Sequence, residues 1–524
     1  MPSEPKRLTV AMIVRDAEAT IAASLGSVRP IADEIVVADT GSLDRTRQIA
    51  LSRATTVVDV PWTDDFAATR NACLASCTGE WILWLDANER LAADSALQIR
   101  RLVDEGADPA KVYLLLIQLP PAGEHGMSEQ VGRIRLMPNR PALSFTGRVR
   151  ENLHPALIAA GMRVELKPWH IHRDAEDQER AVKTRKARRD WKLAELELCD
   201  RGESAIPLVA MGESLMNLGD ARQAADCFRR ALAVARPAST EMLEAYYGLL
   251  TTYDGQPDGH DQQVKICVQA LEAFPFDAQL LCAIGSYMQR AGRLDLASRS
   301  YRTAVRHGQL NLETWHIAAI RDVATLCLSL SLELLGEDDE AREVVEQSLA
   351  GQPDPVRLRR RLIDLYVKHD RRKEALDQVS LLPADTPHRD ALRGAVRGAC
   401  LAAQKNWVAA RAYLQTAYDA GCRDVLCLRW LSVALFSSDD FSAAEPILRQ
   451  WHAAAPGIAE PKRYLELIAK GKAVQGVGAA PPEDQATISA RRLRIDPPAR
   501  PSAMNLLPSS GQLNALQRED AGKR

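Results

Sequence analysis

Aromatic side chains are scarce: Phe, Trp and Tyr make up 5% of the 524 residues. With Ala and Leu plentiful, that shortage tilts the chain towards helix. Net charge is also nearly missing, with 67 Lys plus Arg against 69 Asp plus Glu. A general nucleic-acid or anionic-membrane binder needs a basic excess or patch, so that class is excluded. No window reaches the apolar run of about 20 residues that a membrane span requires. The opening MPSEPKRLTVAMIVRDAE has too short an apolar stretch before Arg15 and Asp16 for a secretory signal. Ten cysteines are present without the spacing of a ligand set. Cys73 and Cys77 lie one helical turn apart, but no second pair accompanies them, so buried reduced thiols are expected rather than zinc. These absences lead to the expectation of a soluble, cytoplasmic protein of two or three domains, with 46% hydrophobic residues to build their cores.

What is present changes character along the chain. RLTVAMIV, DEIVVADT, TTVVDVPW and WILWLDA are short β-rich runs separated by helical stretches. Near-continuous apolar strands alternating with helices predict a mainly parallel sheet between helical layers. From Lys111, VYLLLIQLP, GRIRLMPN, FTGRVRENL and MRVELKPWHIHR follow with no helix between them, which predicts an antiparallel extension at one sheet edge. The polar loop Pro120 to Gln130 reads equally as a lid or as a plain hairpin connection. The α/β domain spans 1–175, and residues 176–204 read as a connecting helix.

An internal repeat fills 205–470. Its first copy carries Leu208, Met211, Gly212, Leu215, Gly219, Ala224, Phe228 and Ala231, and a later one Leu281, Ile284, Gly285, Met288, Gly292, Ala297, Tyr301 and Ala304. A recurring alanine steps from Ala341 to Ala375, Ala410 and Ala444, a period of 34 or 35 residues. That is the tetratricopeptide period: two antiparallel helices per unit, small residues where they approach, and about seven units in all. The Gly, Pro, Ala and Ser-rich tail, 471–524, is expected to be disordered.

In a parallel sheet, ligands sit beyond the carboxyl ends of the strands. Those ends carry Arg15 and Asp16; Asp39, Thr40, Gly41, Ser42 and Asp44; Trp62, Asp64 and Asp65; then Asp86, Asn88 and Glu89. Asp16, Ser42 and Asp65 also suit helix N-caps. Acids at the ends of four successive strands suit a divalent cation and a diphosphate, because hard oxygen ligands hold Mg²⁺ or Mn²⁺.

VAMIVRDAEATIAASLGSV, EIVVADTGSLDRT and DFAATRNACLASCTGEWILWLDANE, in that order, resemble the family 2 glycosyltransferases of GT-A fold. The branch they look most like includes sublancin-type peptide S-glycosyltransferases, some of which carry tetratricopeptide repeats. The resemblance covers residues 7 to about 198. It implies a nucleotide-sugar donor, a divalent metal (Mg or Mn) and inverting transfer. Residue by residue, it implies that Asp39 contacts uridine, that Arg70 and Asn71 lie along the nucleotide, and that Val14 and Arg15 give backbone contacts at the base. Asp86 becomes the first acid of the metal motif, and His172 a ligand of the metal or diphosphate, with His170 two residues away on the same strand face. Glu151 becomes the general base, deprotonating the acceptor as it attacks the anomeric carbon.

Two departures stand out. Asn88 replaces the second metal-motif acid and brings no charge, with Glu89 next to it as a carboxylate able to compensate. Arg150 replaces a histidine before Glu151. The expected partners are a nucleotide-sugar donor, a protein, peptide or saccharide acceptor, and proteins docked on the repeats, with no nucleic acid and no membrane span. Asn88 and Arg150 keep open a catalytically weakened scaffold, and a third alternative is a transferase of surface-polysaccharide synthesis.

Overall fold

The computed structural model describes residues 7–119, 128–174, 179–256, 258–350, 356–455 and 459–476. Most of the loop read as a lid, and the tail from 477, lie outside the described residues. The described residues form two compact units, one of 7–279 with Leu310–Ala319, the other of Leu280–Gln309 with 320–476. The first is a mixed α/β sheet domain continued by helices, and the second is a tetratricopeptide-like helical array.

In the first unit, β1 (Leu8–Val14), β2 (Glu34–Asp39), β3 (Thr56–Asp59) and β4 (Trp81–Trp84) run parallel in the order β3-β2-β1-β4. β2 and β4 are buried throughout, as expected for strands covered on both faces. The connections are α1 (Ile21–Val28), α2 (Thr46–Arg53) and α3 (Phe66–Leu74). One core cluster, with Val10, Met12, Ile35, Val37 and Leu83, covers one face; another, with Ala11, Val36, Ile82 and Trp84, covers the other.

The sheet then continues with mixed polarity. After β5 (Glu89–Leu91) and α4 (Ala93–Asp104), the hairpin of β6 (Lys111–Leu119) and β7 (Glu129–Pro138) places β7 antiparallel to both β4 and β6. β8 (Arg163–Arg173) runs parallel to β6, and β5 closes the edge antiparallel to β8. The expected strand FTGRVRENL does not form. Gly147 at φ 101° and Arg150 at φ 52° bend it into a loop, closed by a Thr146–Asn152 bridge and followed by α5 (His154–Ala159). Of the three expected N-caps only Asp65 caps, accepting from the Ala68 N–H at 2.8 Å. Asp16 accepts instead from the Leu43 N–H, and Ser42 Oγ from the Asp16 N–H, which ties the loops after β1 and β2 together.

α6 (Arg180–Arg201) buries Leu193 and Ala194 beside Val149 and Ala210. α7 (Ala205–Leu218), α8 (Ala221–Val234), α9 (Thr240–Thr252) and α10 (Gly259–Ala273) complete the helices of this unit. A Cβ at Gly212 would stand 2.6 Å from the Phe228 ring, so glycine there is what lets α7 and α8 close on that ring. A two-residue strand, β9 (His316–Ile317), pairs antiparallel with Glu129 and Gln130 of β7.

The second unit contains eleven helices among the described residues, from α11 (Ala278–Arg290), whose first two residues belong to the first unit, to α21 (Ala459–Gly476). Gly285 faces Tyr301 as Gly212 faces Phe228. The periodic Ala341, Ala375, Ala410 and Ala444 are all fully buried. The 34-residue repeat thus sets helix spacing through small-against-large packing.

Candidate functional site

The parallel register places the Asp39 and Asp86 ends of β2 and β4 on either side of the β1 terminus. Asp39 is buried, and its Oδ1 accepts from Gly41 N, Ser42 N and Ser42 Oγ at 3.2, 2.9 and 2.8 Å. This shapes the Thr40–Ser42 turn. Val14 lies beside it, but its carbonyl already accepts both the N–H and the hydroxyl of Thr40 at 3.0 Å. That leaves this carbonyl no lone pair for the expected contact with a base. Arg15 is exposed, 4.0 Å from Asp16.

Arg70, on α3, links two of the expected residues. Its Nε donates to Glu151 Oε1 at 2.6 Å, and an Nη reaches Asp86 Oδ1 at 3.4 Å. The guanidinium lies 4.4 Å from the Trp84 ring centroid and 5.3 Å from that of Phe145, in cation–π range of both rings. Asn71, expected along the nucleotide, follows Arg70 in the helix. Its amide is spent on the Phe145 backbone, donating at 3.0 Å and accepting at 2.8 Å, so it fixes the loop that carries Phe145.

Asp86 meets two more arginines. Arg135 of β7 lies 3.0 Å from Oδ2, and Arg173 of β8 lies 3.7 Å from it. Glu89, fully buried, is held by Arg135 at 2.7 and 2.8 Å and by Arg173 at 2.7 Å. Glu89 Oε2 also accepts from the Asp86 N–H at 3.1 Å. Burial opposes ionisation of Asp86, but Arg135, Arg70 and Arg173 outweigh it and hold the carboxyl well below the ordinary range. The same acids push Arg135 and Arg173 upwards against their burial. Arg133, two residues along β7, goes the other way. Burial brings it down to about 10, Glu244 opposing and Arg150, Arg135 and Arg173 adding to the fall.

Arg150, in left-handed backbone conformation, turns its side chain away from Asp86 and towards the helices. It pairs with Glu244 of α9 at 2.5 Å and approaches Glu213 of α7 at 3.7 Å. Arg150 therefore ties the Glu151 loop to α7 and α9.

The expected metal set, Asp86, Asn88 and His172, is not brought together. His172 is exposed and paired in register with the exposed Arg90, whereas the neighbouring Arg173 points at Asp86 and Glu89. The physical reason is strand alternation: Trp169 and Ile171 are buried, so Arg173 shares their face and His170 and His172 take the opposite one. Glu89 does not compensate for Asn88 either, because arginines and a backbone N–H engage both its oxygens. Among the described residues no group of three or more His, Cys, Asp or Glu is placed to hold a metal ion. The donor set at Asp86 does not fit a divalent cation.

Sequence reasoning named Arg70, Asp86 and Glu151, which the fold places side by side, and missed Arg135 and Arg173. A signal for both existed. GRIRLMPN puts Arg133 and Arg135 on one face of an otherwise apolar central strand, where they require acidic partners, and Arg173 is in phase with Trp169 and Ile171.

Residues 9–114 match the family model described as glycosyl transferase family 2. A TPR repeat-containing protein of Synechococcus elongatus is 29% identical over 313 residues, 57% of this chain and 75% of that protein. An uncharacterised glycosyltransferase of Rickettsia typhi is 24% identical over 156 residues, 29% of this chain and 53% of its own, so the chain spans about half that relative's length. Among solved structures, the TPR protein YrrB is similar over 41% of this chain and 95% of its own, at 16% identity and a TM-score of 0.28, too slight a likeness to argue from.

Proposed function

We propose that this chain, which carries a family 2 glycosyltransferase domain followed by tetratricopeptide-type repeats, transfers a sugar from a UDP-sugar to a protein or peptide. One observation carries the reading. Arg70 joins Asp86, at the strand end where a donor's diphosphate belongs, to Glu151, the candidate base. Asp39 and the Thr40–Ser42 turn lie at the neighbouring strand end, where the nucleoside is expected.

The reaction is a single in-line displacement with inversion. An acceptor hydroxyl or thiol attacks the anomeric carbon as its proton passes to a Glu151 carboxylate oxygen. The bond from that carbon to the diphosphate oxygen breaks, and its electron pair leaves on the diphosphate. Arg70 occupies Oε1 of Glu151, and among the described residues Oε2 has no hydrogen-bond partner, so it is the oxygen available to the acceptor. A macromolecular acceptor is supported by Arg150, which ties the Glu151 loop to α7 and α9, helices of the kind that bind extended peptides.

The test is release of UDP from a panel of UDP-sugars, with intact-mass analysis of co-purified proteins. Glu151→Gln is expected to lower turnover by about 10²- to 10⁴-fold and leave UDP affinity unchanged. Wild-type turnover in that variant removes Glu151 as the base. Failure of every UDP-sugar to turn over with any protein or saccharide acceptor leaves the scaffold alternative.

A further inference from the structure

The Asp86 carboxylate is where a family 2 domain would seat its metal, yet it is encircled by cations. Arg70, Arg135 and Arg173 lie 3.4, 3.0 and 3.7 Å from its oxygens. A dication at that point would face three fixed guanidiniums with only a neutral Asn88 as the motif's second member. Glu89 offers no second anionic ligand, because Arg135, Arg173 and the Asp86 N–H engage its oxygens. Two donors point to what belongs there instead. The Nε–H groups of Arg135 and Arg173 are buried and have no acceptor among the described residues. Buried guanidinium N–H groups without acceptors are costly, and they match the multiple oxygens of a phosphoryl group.

We propose that these arginines hold the donor's diphosphate directly and that donor binding requires no divalent metal. The inference rests on the nucleotide-sugar reading above and names the device that replaces the family's metal. Arg173 is the central member: it reaches both Asp86 and Glu89, and it is the more exposed of the two arginines with an unmatched Nε–H. Its guanidinium is backed by the Trp315 ring, 5.8 Å away, in a segment that returns to the sheet from beyond α12 (Leu294–His307). As the anomeric bond breaks, the charge gained by the diphosphate falls on groups that are already in place, with no ion to recruit.

The test is calorimetric titration of the full chain with UDP, GDP, CDP and dTDP, in EDTA and again in Mn²⁺ or Mg²⁺. At least one diphosphate is expected to bind in EDTA with an affinity within about threefold of that with metal, and Arg173→Ala to weaken it by about tenfold or more. Arg173→Lys keeps the charge but loses the planar fork. If the alanine variant fails to fold, the lysine variant, checked by circular dichroism, is expected to show several-fold weaker binding. Binding that appears only with metal, or that Arg173→Lys and Arg173→Ala leave at wild-type strength, overturns the arginine site and leaves the transferase reading standing. A chain that binds no nucleoside diphosphate in either buffer overturns both.

Discussion

The two halves of the sheet contribute opposite things to one place. The parallel half, β3-β2-β1-β4, ends in acids: Asp39 after β2 and Asp86 after β4. The mixed half, β7-β6-β8-β5, sends in arginines, Arg135 from β7 and Arg173 from β8, with Glu89 of β5 as their internal counter-charge. Strand ends of a parallel sheet converge on a crevice and can carry polar groups at little cost. Arginines within a central strand are buried and require anions to balance them. The comparison teaches that the mixed half is not a structural annex. It adds Arg135 and Arg173 to the one arginine, Arg70, that the parallel half brings, and the two sets meet at Asp86.

The sharpest way to break this picture is to remove a cation from the mixed half. Arg135→Met strips the fully buried Glu89 of its main partner and is expected to destabilise the first unit by about 3–5 kcal/mol in urea denaturation. Adding Glu89→Leu is expected to recover stability over Arg135→Met alone. A double variant no better than the single would mean that the two residues are not coupled.

Removing an acid from the parallel half costs less, because Glu89 still balances the arginines. Asp86→Asn is expected to lose about 1–3 kcal/mol at neutral pH. Since the folded Asp86 carboxyl titrates below its ordinary value of 3.8, its contribution is fully present above that value and is lost as pH falls through the depressed one. The gap between wild type and variant, followed by denaturant titration, is expected to be flat from pH 8 to about 5 and to close only in strong acid.

The smallest effect concerns the contact of His154, at the start of α5, with Glu313, 3.2 Å away in the segment that carries β9. Hydrogen bonding to Glu313 raises the imidazole against its burial. Its contribution is therefore present below the ordinary 6.5 and fades as pH rises through the raised value. With the imidazole nearly half exposed, His154→Gln is expected to cost under about 1 kcal/mol at pH 5.5 and nothing measurable at pH 9. An equal cost at both values would assign the contact to packing rather than charge.

The order of strands and helices was legible because it depends on local pattern: apolar runs for β1 to β4, and a 34-residue step of alanines for the helical array. Each of those alanines is buried for the reason the period implies. The loop at FTGRVRENL was not legible, because its alternation of residue types suits a strand and only positive φ at Gly147 and Arg150 breaks it. Within the site, Asp86, Arg70 and Glu151 came from an ordered resemblance. Their electrostatic setting did not, because it depends on which strand lies next to β4, and β7 reaches that place only through a hairpin that reverses its direction. His172 was chosen by resemblance, with His170 as its alternative, although the phase of Trp169 and Ile171 already assigned the faces.

The return of Leu310–Ala319 to the sheet is also a matter of timing. Gln130 of β7 finds its partner His316 only 186 positions later, with the Gly132 N–H bonded to Leu312 and Trp315 packed on the sheet's core. At a ribosomal pace of about 5 to 20 residues per second, that edge of β7 waits roughly ten to forty seconds for its covering segment. During that interval a strand edge and the floor beneath Arg173 stand open on the nascent chain. The sheet is therefore finished late in synthesis, after the helices up to α12 have been made, and the Trp315 ring beside Arg173 is added only once the chain has grown well past its strands.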